Sequence, residues 1–414
     1  MKGLRKQYDQ LRERAAKYWS QLQKKGLEHW LGVAILTVLG LLLGQWIGTA
    51  EIWQELRYKI YQFQTSRLSI GQPIEWRTVF VLVEDDEYWK GELARRVPIK
   101  RNYLAKLLCA VDRANPALIA LDFDLRSPVP SGELVEHPAY ECERRELLEA
   151  VAEVAGHRAV ILPKQVSIIG GRYVEESDIF RGFDFSSVKG RLFPGYIQLA
   201  HDLRIIPPRL HIEAEPGGPL DSFSLAMLHA DSPEMYQQIV AKQSSGDEVN
   251  LRFGTFLDAE KFEKLSFASS KVLTGDADTL ASLEHKLVII GGKWHQDALG
   301  SGEWNDEHLT PAGRIIGAYV HGSYAEALRR GKWYPAWSEG WVLVSEVLVV
   351  FGAAVFLALD IATRWKVAAA LIPSIVIMLL SYFLLQNIGL FFDFFVPLVI
   401  ISLHAVAEHL EWRS

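Results

Sequence analysis

Val79-Phe80-Val81-Leu82-Val83, followed at once by Glu84-Asp85-Asp86, is the stretch on which the fold class turns. Five consecutive apolar residues that stop at acidic ones read as a strand and its end. Downstream, similar short runs alternate with helix-like segments. Asn102 to Ala114 puts Leu104, Leu107, Leu108 and Val111 on one helical face, and Pro116 then separates it from the strand Ala117-Leu118-Ile119-Ala120-Leu121. Leu147 to Val154 reads as a helix and Ala159-Val160-Ile161-Leu162 as the next strand. Tyr196-Ile197-Gln198-Leu199, Val249 to Phe253 and Lys286 to Gly292 read as later strands, and Val320 to Arg330 as a last helix. That alternation predicts an α/β domain with a mainly parallel sheet and flanking helices.

Carboxylates collect where these strands end: Asp85 and Asp86 after the first, Asp122 and Asp124 at the second. Ligands of open parallel sheets bind outside the carboxyl ends of the strands. Paired carboxylates also suit a metal or acid–base site, and Asp86, Asp122 and Asp124 would carry a metal-dependent hydrolase. The plainer reading is that these aspartates fix loops by accepting backbone N–H groups. Asp306, His308 and His321 invite the same choice between a metal site and a locked loop, with Thr310 and Pro311 fixing the chain direction. His308 is also the residue type whose charge changes near neutral pH. No nucleophile elbow, zinc-protease helix or phosphate-binding P-loop is present. The expectation is a binding domain without catalytic residues or metal, and the residues name no cofactor.

Charge and hydropathy set the surroundings. The 414 residues have room for two or three domains, and a net charge of −6 excludes a nucleic-acid partner for the molecule as a whole. Four apolar stretches are long enough to span a bilayer: residues 30–50, 341–359, 367–385 and 390–407. Nothing between Glu51 and Gly340 is comparable, so about 51–335 is the water-soluble part. The first 29 residues carry eight Lys or Arg against three acids, and Arg364 and Lys366 lie between the second and third stretches. The positive-inside rule therefore places both termini, including the short tail 408–414, in the cytoplasm, with the central domain outside. A cleaved signal ending at Gly48-Thr49-Ala50 competes, but the apolar region is too long and its leader too extended.

Leu4, Tyr8, Leu11, Ala15, Tyr18 and Leu22 alternate spacings of four and three, a short coiled-coil seam. The segment fits a partner or homodimer helix, equally a basic helix lying on lipid, or a plain positive-inside flank. Glu51 to Leu68 reads as a helix joining the first span to the soluble domain. Glu346, Asp393 and His404 lie within spans, where helix packing and headgroup contacts account for them. Cys109 and Cys142 match no zinc or redox spacing; outside the cell a disulfide between them is permitted, but both sit in helix-like stretches where free Cys packs as a small hydrophobe.

Taken in order, these residues resemble the type-two CHASE domain family, an extracellular sensory module found with cyclases and histidine kinases. The resemblance covers about residues 51–335 and the layout of one span before the domain and three after. It is carried by Val83-Glu84-Asp85-Asp86; by Val97-Pro98-Ile99-Lys100-Arg101, which keeps Pro98 and Arg101 and lacks two tryptophans of the family pattern; and by Ala120 to Asp124. Gly195 with Asp202-Leu203-Arg204 matches in part. Ile290-Gly291, Asp306, His308, Thr310-Pro311, Gly317 and His321 match closely, and Trp294 to Trp304 is an insertion. The resemblance implies a sensor. Relatives continue into an output domain whereas this sequence stops at Ser414, so a separate cytoplasmic effector is expected. An envelope scaffold that binds another membrane or periplasmic protein is the alternative.

Overall fold

The computed structural model describes residues 75–310 and 313–335, apart from 127–139, 171, 200–208, 213–218, 244–248, 252–258, 301 and 332, together with isolated positions between 20 and 59 and between 340 and 384. Two compact units emerge, residues 62–336 and a second built from 1–61 and 337–414.

The first unit is the α/β domain. Its sheet strands are β1 (Thr78–Glu84), β2 (Leu118–Leu121), β3 (Ala159–Lys164), β4 (Leu192–Tyr196), β5 (Ser266–Ala268) and β6 (Leu287–Lys293). They lie in the order β5-β1-β6-β2-β3-β4, and every neighbouring pair is parallel. The helices are α1 (Arg101–Asp112), α2 (Tyr140–Ala155), α3 (Phe223–Asp231), α4 (Pro233–Gln243), α5 (Ala259–Lys264), α6 (Ser269–Thr274), α7 (Ala277–Leu283) and α8 (Gly317–Arg329). A hairpin of β7 (Glu307–Thr310) and β8 (Gly313–Ile316) precedes α8.

Helices cover both faces, which is why β1 is apolar without alternation. Val79, Val81 and Val83 point into a core shared with Leu104, Leu107 and Leu108 of α1 and Leu147 and Val151 of α2. Phe80 and Leu82 point the other way, against Phe223 and Leu225 of α3 and Tyr319, Val320 and Tyr324 of α8. Close packing of α8 on β1 depends on Gly322, where an added Cβ would lie 2.5 Å from Cζ of the fully buried Phe80. Gly322→Ala is therefore expected to cost about 1–3 kcal/mol through overpacking, read from urea denaturation midpoints; an unchanged midpoint would mean that the helix has room to move.

At the amino ends of the strands sits Glu326, fully buried on α8. Its Oε1 accepts from the backbone N–H groups of Arg77 and Thr78, both at 2.8 Å, and from Thr78 Oγ1 at 2.9 Å. Its Oε2 meets Arg329 at 2.9 Å and Arg330 at 3.0 Å. One carboxylate thus ties the start of β1 to the end of α8.

Several expectations need correction. The strand expected at Tyr196 to Leu199 runs instead from Leu192 to Tyr196. Pro194 and Gly195 disguised it, and an edge strand tolerates both. Val249–Leu251 is shorter than expected and pairs antiparallel with Trp333–Pro335, outside the main sheet. Helix α2 begins at Tyr140, well before Leu147. Cys109 on α1 and Cys142 on α2 are both free.

The expected spans 30–50, 341–359, 367–385 and 390–407, like the joining helix 51–68, fall mostly outside the described residues. So do all of Leu4, Tyr8, Leu11, Ala15, Tyr18 and Leu22, and also Pro311, Asp202, Leu203 and Arg204. Among the described residues no helix is long and apolar enough to cross a membrane. The isolated positions described between Trp30 and Trp46 are helical, and Leu31, Ile35, Val38, Leu39, Leu42 and Trp46 there are exposed, as are Trp341, Leu348 and Phe351. Trp30 and Phe351 bring their rings to 6.4 Å.

Candidate functional site

A cavity of about 730 Å³ opens at the carboxyl ends of the sheet strands, within the size range of small-molecule sites. Pro98, Arg101, Asp122, Asp124, Asp306 and His308 all line it, so six of the residues singled out in the sequence converge on one place.

The floor is buried, with Asp122 lining the cavity and His321 packed behind it. Asp122 follows β2 directly, and its backbone N–H donates to Ile290 of β6 at 2.8 Å, which holds its side chain between the strands at 8 % exposure. Burial first, and the neighbouring Asp306 second, push its carboxyl well above the usual carboxylate range. His321, one turn into α8, places Nε2 3.1 Å from the Ile197 carbonyl. A carbonyl can only accept, so Nε2 carries the proton. Burial pushes the His321 imidazole down to about 4, leaving it uncharged at neutral pH. Its Nε2 stands 3.8 Å from Asp122 Oδ1, beyond hydrogen-bond reach.

The hairpin sets the next layer. Pairing of Glu307 with Ile316 brings Asp306 opposite Gly317, and the Gly317 N–H donates to the Asp306 carbonyl at 3.0 Å. A Cβ at Gly317 would stand 2.0 Å from Asp306 Oδ2, so any larger residue there would displace that carboxylate. His308, two residues on and so on the same face of the strand, donates from Nε2 to Asp306 Oδ1 at 2.9 Å. Burial works to raise the Asp306 carboxyl, but the hydrogen bond and charge of His308 hold it below the usual range. Asp306 is ringed by protein yet its carboxylate remains open to the cavity. Thr310 is fully buried on the same strand and serves the hairpin rather than the cavity.

Arginines form the far wall. Arg126 grips Asp124 with Nη2 at 2.6 Å and Nε at 3.0 Å, and its backbone N–H reaches the same carboxylate at 3.1 Å. Burial would raise the Asp124 carboxyl, but these bonds hold it below the usual range. Arg96 pairs with the buried Glu143 of α2. Arg101, at the first position of α1, is 1 % exposed.

Two acidic residues do not reach the cavity wall. Asp86 has its side chain 85 % exposed and pairs with Lys90 at 2.8 Å. Asp85 accepts from the His295 N–H at 2.8 Å and approaches His295 Nδ1 at 2.7 Å, fastening the chain after β6 to the end of β1. The trio Asp86, Asp122 and Asp124 is therefore not assembled. Among the described residues no group of three His, Cys, Asp or Glu side chains is placed to hold a metal ion.

Sequence reasoning missed the cavity's aromatic and basic parts. Trp294, inside the segment read as an insertion, stacks on Tyr88 at 4.4 Å with the rings 10° apart, and both line the cavity. Arg96, Arg126, Ile197 and Asn305 line it too. The one available signal was Arg126, two residues beyond Asp124 at a strand end.

The carboxyl edge of a parallel sheet, here with a cavity of ligand size, is the place where open α/β sheets bind their ligands. The CHASE2 domain model matches residues 33–359, and the chain belongs to that family of extracellular sensory domains. Comparison with curated proteins finds no match, nor does comparison with solved structures.

Proposed function

We propose that the chain is a sensor subunit of a bacterial inner membrane. Its α/β domain, about residues 51–335, binds a small molecule outside the cell, and both termini are cytoplasmic. The observation that carries the reading is the position of α8. Gly317 at its start abuts Asp306 of the cavity wall and His321, one turn on, packs behind Asp122, while Glu326 near its end holds β1 at the opposite edge of the sheet. About 14 Å of continuous helix separates Gly317 from Glu326. A ligand that fits one arrangement of the Asp306–Gly317 contact better than another shifts the population of α8 positions. In sequence, α8 leads toward the apolar stretch 341–359 and β1 follows the stretch 30–50, so both connections receive the shift.

In this reading the shift passes through paired spans of a homodimer, with lipid contacts, and is read by a separate cytoplasmic effector. The carboxylates recognise or hold structure and do no chemistry, consistent with the separation of Asp86 from Asp122 and Asp124.

Two experiments test it. Cys142 is exposed and Cys109 half-buried, so a membrane-impermeant maleimide is expected to label Cys142 in intact spheroplasts. Labelling that begins only after the membrane is broken would reverse the topology. Cross-linking in cells is expected to trap a cytoplasmic protein on the N-terminal segment; recovery of envelope proteins alone would favour a scaffold.

A further inference from the structure

Arg101 is a buried cation whose side chain has no carboxylate partner among the described residues. The acids around it have other partners: Arg126 holds Asp124, Arg96 holds Glu143, and His308 holds Asp306. Arg101 gives one Nη2–H to the Asp124 carbonyl at 3.2 Å, and its backbone N–H to Glu143 Oε2 at 3.2 Å. Its Nε and Nη1 are buried with no hydrogen-bond acceptor among the described residues. A guanidinium does not give up its proton in a protein, so the charge stays and waits for an anion. The side chain stands in the cavity wall at the start of a twelve-residue helix whose N-cap, Lys100, supplies no side-chain cap; such a helix end also favours negative charge.

The rest of the cavity narrows the class of anion. Ionised Asp124 and Asp306 stand in the same wall and oppose a dianion such as phosphate. Ile99, Phe123 and Leu199 with the Tyr88–Trp294 stack offer an apolar, partly flat surface to the remainder of the ligand. We propose that Arg101 receives the carboxylate of a small organic acid whose apolar body lies along Tyr88 and Trp294. The assignment rests on reading the cavity as the ligand site and names the ligand's class.

Benzoate, the uncharged benzyl alcohol and inorganic phosphate are the probes, titrated calorimetrically into the full-length protein in detergent with melting temperature followed in parallel. Benzoate is expected to bind and raise the melting temperature, with phosphate and benzyl alcohol far weaker. Arg101→Met should weaken benzoate by at least about 30-fold, the scale of losing one partner of a buried charge pair. Without ligand, Arg101→Met should melt no lower than the unaltered protein, because it removes an unmet buried charge. Arg101→Lys, which keeps the charge with fewer donors, should fall between. Equal benzoate binding by Arg101→Met, or a lower melting temperature of that variant without ligand, overturns the role of Arg101. Tighter binding of phosphate overturns the carboxylate class. Benzyl alcohol binding as well as benzoate overturns the anionic class and leaves the cavity standing as a ligand site. If no probe binds, the proposal and the reading beneath it both fall.

Discussion

Glu326→Ala is expected to destabilise the α/β domain by about 3–5 kcal/mol, the usual range for removing one member of a buried ionic group. The carboxylate receives three hydrogen bonds from Arg77 and Thr78 and faces two arginines. Its removal leaves two β1 donors in a buried place without acceptors. It also takes their carboxylate from Arg329 and Arg330, whose Nε and Nη1 respectively have no partner among the described residues. Glu326→Gln keeps an acceptor for the β1 donors and should cost less, roughly 1–3 kcal/mol, the scale of one charge-assisted hydrogen bond. Urea unfolding followed by tryptophan fluorescence measures both. A loss below about 1 kcal/mol for the alanine variant would mean that α8 and β1 are held by apolar packing alone. Amide exchange should localise the damage to Arg77 and Thr78.

The second large effect is a pair of opposed pH dependences, from Asp122 at the cavity floor and His321 behind it. His321 is pushed down to about 4 in the folded protein. Its contribution is complete above pH 6.5, where the unfolded imidazole is also neutral, and is lost as pH falls from 6.5 toward 4. At about 1.4 kcal/mol per pH unit, full expression of that shift is roughly 3–4 kcal/mol. Asp122 has the opposite sign. Its carboxyl is raised, so its contribution is complete below 3.8 and is lost as pH rises through the folded value. While Asp122 keeps its proton the two slopes oppose each other between pH 4 and 6.5, and the unaltered protein should be nearly flat there. Asp122→Asn should expose the His321 slope, gaining stability as pH rises through this window. His321→Gln, which can still donate to the Ile197 carbonyl, should expose the Asp122 slope and lose stability over the same window. Melting temperatures across that range decide the matter; parallel curves for all three proteins would show that neither group is held in the state its burial demands.

Much of the sheet was legible because β1, β2, β3 and β6 are short apolar runs buried on both faces. Strand order was not legible. Nothing local to residues 287–293 says that they enter between β1 and β2, and β5 has only three residues. Strand β4 was hidden by Pro194 and Gly195, residues an edge strand accepts and a pattern search rejects. At the site, acids placed just after strands were found because their position in the chain implies their position in space. Tyr88 and Trp294 were not, since aromatic side chains so often fill cores that their spacing carries no signal until the fold brings them together. Asp86 shows the converse: adjacency to Asp85 suggested a shared role, and the turn after β1 sends the two side chains to different places.

The strand order has one more consequence, for assembly. Strand β1 ends at Glu84, yet its two partners begin at Ser266 and Leu287. Until those residues are made the first strand has both edges open, and β2 lacks its β6 neighbour as well. Pairings so distant in sequence are slow to form, and open apolar edges invite association with other chains. Shielding of the early segments until synthesis passes Lys293 is therefore a condition for productive folding, and chains truncated before Leu287 should accumulate as aggregates rather than as a smaller folded domain.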